Sequence, residues 1–147
     1  MRAEEAVMRA VLFGVALAAG MAGFAPVGRA ETFLCTLARV VGPGIVASEM
    51  RIEIGEGMRI RVDDVNTRDV LGAPTTAQVT QASERRIRFS WMLTAQRIEA
   101  RMAYATGART RVNYAATLDR AAPALRVKAT VGSGHVANFE GPCKRLK

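Results

Sequence analysis

From Glu49 onward, apolar and polar side chains alternate, and a period of two restricts the chain to strands with one dry face and one wet face. Met50, Ile52 and Ile54 fall on one side, with Glu49, Arg51 and Glu53 on the other. Met58, Ile60 and Val62 then oppose Arg59 and Arg61, and Ile87, Phe89, Trp91 and Leu93 oppose Arg86, Arg88 and Ser90. The pattern recurs as Ile98, Ala100 and Met102 against Arg97, Glu99 and Arg101, and as Val112 and Tyr114 against Arg111 and Asn113. Leu125, Val127, Ala129 and Val131 against Arg126, Lys128 and Thr130 complete it. No segment in this region holds a helical period for long.

Gly42-Pro43-Gly44, Gly55-Glu56-Gly57, Gly72-Ala73-Pro74, Thr106-Gly107-Ala108, Ala122-Pro123 and Gly132-Ser133-Gly134 punctuate the runs. Glycine supplies positive φ at no steric cost and proline removes a ladder donor, so both mark strand ends. The spacing predicts strands over Thr32–Val40, Ile45–Ile54, Met58–Val65, Thr75–Gln81, Arg85–Thr94, Arg97–Thr106, Arg109–Leu118, Leu125–Val131 and Val136–Cys143, with a helical turn as the alternative over Leu118–Ala124. Short connections make neighbours antiparallel. A meander with one apolar face must close or fold over to bury it, and closure also removes exposed edges. The expected fold is all-β: a small antiparallel meander barrel of about eight strands, with a β-sandwich as the alternative.

Two cysteines, Cys35 and Cys143, lie 108 residues apart at the ends of this region. They are too few for a metal site and lack the Cys-x-x-Cys spacing of a redox pair. A structural disulfide joining the first and last strands is expected.

Ahead of them is a leader. A weakly charged head, Met1–Arg9, precedes Ala10–Ala25, which carries no charge. Those sixteen residues would cover about 24 Å as a helix, short of the roughly 30 Å hydrocarbon layer. Pro26 interrupts the run, and Gly28 and Ala30 are small at the two positions that a signal peptidase reads. A cleaved signal peptide over 1–30 and one barrel domain over 31–147 follow, with no integral membrane span after cleavage. A lipid-modified Cys35 is not expected, because bulky Leu34 precedes it. Export in this style places the chain in the bacterial periplasm or outside the cell, where disulfides persist.

Residues 31–147 hold eighteen Lys and Arg against eleven Asp and Glu, and fifteen of the eighteen are arginine. A positive excess favours anionic partners, here an anionic envelope lipid or an acidic protein. The candidate contact surface is the polar phase of the strands: Arg59, Arg61, Arg86, Arg88, Arg97, Arg101, Arg109, Arg111 and Arg126. Nucleic acid is not expected, since exposed aromatics between the cations are missing.

Catalytic residues are sparse. His135 is the one histidine, and Ser133 two residues before it cannot easily converge on it from the same turn. The acidic stretch Asp63, Asp64, Asn66 and Asp69 lacks the spacing and central glycine of a calcium loop and reads as a solvated turn. Met50, Met58, Met92 and Met102 read as core. Neither metal nor cofactor is expected. Phe89, Trp91 and Tyr114 are the candidate lining of an apolar cavity, or the filling of a packed core. The leading expectation is therefore a non-enzymatic binding protein of the cell envelope. A carrier of an apolar ligand or lipid is the second expectation, and an inhibitor of a secreted enzyme presenting Asp63–Leu71 as a rigid loop is the third.

Overall fold

A computed structural model describes residues 29–42, 45–94, 111–132 and 134–146. The signal-peptide expectation falls almost entirely outside these residues. So do the Arg97–Thr106 strand, Met102, Ser133, and the candidates Arg97, Arg101 and Arg109.

Among the described residues nine strands run in the order β1 (Glu31–Thr36), β2 (Ala38–Val41), β3 (Glu49–Ile54), β4 (Ile60–Asp64), β5 (Thr75–Ala82), β6 (Arg86–Thr94), β7 (Arg111–Asp119), β8 (Ala124–Val131) and β9 (His135–Leu146). An α-helix, α1 (Val65–Leu71), follows β4. From β3 to β9 each strand pairs antiparallel with the next. β1 bonds β3 on one side and β9 on the other, closing an eight-stranded barrel. The meander barrel is the observed fold.

The closing seam carries the disulfide. Cys35 and Cys143 are direct partners in the β1–β9 ladder, with Cα atoms 3.9 Å apart. The expected Thr32–Val40 strand is divided at Leu37: β1 lies between β3 and β9, while β2 continues along β9 alone. Gly141 sits where the division occurs. A Cβ there would collide with the Thr36 carbonyl oxygen and come within 3.1 Å of the Leu37 Cα, so only glycine admits the crossing backbone.

The interior is the apolar phase read from the sequence. Phe33, Ile52, Ile60, Val62, Ile87, Phe89, Leu118 and Leu125 are all at most 1% exposed. The outer wall is polar, the reverse of a barrel bathed in lipid. Among the described residues no helix is long and apolar enough to cross a membrane. One methionine departs from expectation: Met92 is 47% exposed, because it takes the outward phase between Trp91 and Leu93.

Side chains gather at both barrel ends. At one end the Glu31 carboxylate accepts from Arg120 Nη2 at 2.7 Å and Nε at 3.0 Å, with Arg145 Nη2 at 3.6 Å. The Arg145 guanidinium also lies 5.2 Å from the Phe33 ring centre. At the other end the chain corrects two expectations. The strand expected from Ile45 starts only at Glu49. Ile45, Val46 and Ala47 are buried in succession, which no strand with one wet face allows, and they tuck into the barrel mouth. The Ile45 carbonyl accepts from Tyr114 Oη at 3.1 Å and Asn66 Nδ2 at 3.0 Å.

The acidic stretch is no solvated turn either. Asp64 caps α1: its Oδ1 accepts from the Thr67 N–H at 2.7 Å, and Thr67 Oγ1 accepts from the Asp64 N–H at 3.0 Å. Gly72, with φ of 72°, ends the helix. Asp64, Asn66 and Thr67 are buried at 6%, 3% and 0% exposure. Asp63 stays nearer the surface, gripped by Arg68 through two 2.6 Å bonds that hold its carboxyl below the usual range.

Burial pushes the Asp64 carboxyl above the ordinary range, partly opposed by Thr67. The unfolded chain therefore ionises this group at lower pH than the folded one does. Its contribution to stability falls as pH rises between those two values and stays lowered above them. Asp64→Asn keeps an N-cap acceptor and removes the ionisation. Asp63 titrates with the opposite sign in both proteins, so the readout is the difference between them. Thermal denaturation from about pH 3 to about pH 7 should show the variant gaining on the parent as pH rises. A constant difference would contradict the burial argument.

Candidate anion-binding face

On the outer wall the strand registers stack side chains in rows. Arg88 on β6 partners Thr117 on β7, which partners Arg126 on β8, which partners Glu140 on β9. In the next row Ser90 partners Ala115, Ala115 partners Lys128, and Lys128 partners Asn138. Ser90, Ala115 and Thr117 are short, whereas Arg88, Arg126 and Lys128 are long. Small residues between long cations leave a groove of about 510 Å³, with Val40 of β2 also on its wall. A second groove of about 560 Å³ shares Ser90, Ala115 and Lys128 and extends past Met92, Asn113 and Thr130. Together they form one trough over β6–β9.

Its charge is uneven. Arg126 faces Glu140 at 3.6 Å, with both side chains more than half exposed. Such a pair in high dielectric is worth little and yields readily to a competing anion. Arg88 and Lys128 have no carboxylate within ion-pairing distance among the described residues.

The sequence candidates divide accordingly. Arg86, Arg88 and Arg126 share this side of the barrel. Arg59 and Arg61 stand elsewhere, in a cleft they share with Glu31, Glu53 and Glu56, where Arg61 meets Glu53 at 3.4 Å. Arg111 is exposed where β7 begins, opposite Thr94. Two members of this side, Arg85 and Lys128, were not among the candidate contact residues. Lys128 carried a signal, since it shares the polar phase of β8 with Arg126.

No protein-family model, curated protein or solved structure matches this chain. What the site can do rests on its own geometry.

The aromatic candidates do come together, inside the core. The Trp91 ring stacks on Tyr114 with centroids 4.9 Å apart and planes 6° apart, and lies 5.9 Å from Phe89. Burial, and then the nearby Asp64 charge, raise the Tyr114 hydroxyl far above its usual range, so it stays a neutral donor to Ile45. His135 is exposed at the start of β9. Among the described residues no three His, Cys, Asp or Glu side chains are grouped to hold a metal ion.

Proposed function

We propose that this chain is an exported, non-enzymatic binding protein of the bacterial periplasm or envelope, and that it engages an anionic partner through the trough on β6–β9. The observation that carries the reading is the unmatched charge of Arg88 and Lys128 over a floor of short side chains. Guanidinium groups present forks of donors that fit phosphate and carboxylate oxygens. The disulfide in the barrel seam suits an oxidising compartment, and β1 starts at Glu31, the residue after the expected cut. An anionic lipid surface is favoured over an acidic protein, because exposed Val40 and Met92 accompany the cations.

The alternatives have less support. A carrier needs interior room where Phe89, Trp91 and Tyr114 stack against one another. An inhibitor presenting Asp63–Leu71 would offer a capped helix rather than an extended loop.

Vesicle sedimentation tests the reading. The protein should bind phosphatidylglycerol vesicles, release them as salt rises, and ignore phosphatidylcholine. Arg126→Gln/Lys128→Gln should weaken that binding at least about tenfold. Arg51→Gln/Lys144→Gln removes the same charge from outside the trough and should have little effect. Salt-independent binding, or equal losses in both pairs, would remove the trough from the explanation.

A further inference from the structure

The β5–β6 hairpin carries a second basic feature, a cleft of about 340 Å³ lined by Gln81, Ser83, Arg85, Arg86 and Arg88. We propose that this cleft is a phosphate-group site. The inference rests on the anion-binding reading of the trough, to which Arg88 joins it, and it adds a ligand chemistry to that reading.

The backbone beneath the arginines is fixed. Ser83 Oγ accepts from the Arg86 N–H and donates to the Arg86 carbonyl, both at 3.1 Å, while the Ser83 N–H donates to that carbonyl at 2.9 Å. The Arg85 carbonyl accepts from the Arg120 N–H at 2.7 Å, which ties the hairpin to the β7–β8 turn. Arg86 and Arg88 project from the same side of β6, and Gln81 is the cross-strand partner of Arg88.

Among the described residues no carboxylate lines the cleft, although Glu84 stands exposed at the hairpin tip. Asp119 reaches Arg86 only at 3.8 Å. Arg85 and Arg88 have no carboxylate within ion-pairing distance among the described residues. A lone carboxylate occupies one guanidinium fork. Three guanidiniums around one opening match the several oxygens and higher charge of a phosphate monoester. The group could belong to a lipid headgroup or to a small soluble phosphate, and the two sources are separable.

The test follows the amides of the hairpin by NMR while inorganic phosphate is added to the full exported chain at low ionic strength. Saturable shifts confined to the hairpin are expected. Arg85→Gln/Arg86→Gln should weaken them about tenfold, and Arg51→Gln/Lys144→Gln should leave them in place. Retained Trp91 fluorescence checks that each variant is folded. Phosphate that displaces phosphatidic acid vesicles assigns the site to a headgroup; phosphate that binds without displacing them assigns it to a soluble ester. Absence of saturable shifts, or equal weakening by the control pair, overturns the cleft. If phosphatidylglycerol binding persists in that case, the trough stands without it; if that is lost too, both fall.

Discussion

Replacing both cysteines, Cys35→Ala/Cys143→Ala, is expected to cost about 3–5 kcal/mol and to lower the melting temperature by roughly 10–20 °C. The bridge closes a loop of 108 residues, almost the whole domain. In the chain-entropy account a loop of about that length is worth about 4.7 kcal/mol, mainly by restricting the unfolded chain. The barrel should still form. Thr32, Phe33 and Leu34 keep their ladder to β9, and Glu31 keeps its contacts with Arg120 and Arg145. Far-ultraviolet circular dichroism should therefore stay that of a β protein, while the urea midpoint falls. The denaturant slope should also rise, since an uncrosslinked chain exposes more surface when it unfolds. A loss below about 1 kcal/mol would mean that the unfolded ensemble already holds its ends together.

The barrel wall was legible because alternation reports which side of a strand is dry. It placed Ile52, Phe89 and Val127 inside and Arg61, Arg88 and Arg126 outside without any knowledge of pairing. The ends were not legible, because a barrel end obeys other rules. Ile45–Ala47 reads as strand in composition, yet it is buried all round, and its Ile45 carbonyl is bonded by Asn66 and Tyr114 from distant segments. Asp64 and Thr67 form a capping box with threonine in place of the usual Glu or Gln, so the helix start passed for a turn. The trough was half legible. Outward arginines follow from phase, but which of them share a groove depends on register. The registers of β6 on β7 and of β7 on β8 bring Ser90, Ala115 and Lys128 into one row, and no strand read singly contains that information.

Trp91→Ala should be among the most damaging single substitutions, at about 3–5 kcal/mol. The indole stands between Tyr114 and Phe89, and removing it leaves two large rings without their common neighbour. Trp91→Phe separates volume from hydrogen bonding. The indole Nε1 is buried with no acceptor among the described residues, so losing it breaks no bond and relieves an unpaired donor. That relief offsets part of the lost packing, and the phenylalanine variant should cost only about 1–2 kcal/mol. Tyr114→Phe makes the complementary measurement. It keeps the ring and breaks the bond to the Ile45 carbonyl, at about 1 kcal/mol, with Asn66 still bound there. Urea unfolding followed by circular dichroism measures all three, since fluorescence disappears with the single tryptophan. The ordering carries a functional consequence. If Trp91→Ala costs less than about 1 kcal/mol, the ring fills no tight space and a ligand could share the interior. If the full cost is observed, the interior is committed to packing, and recognition belongs to the arginine-bearing outer wall.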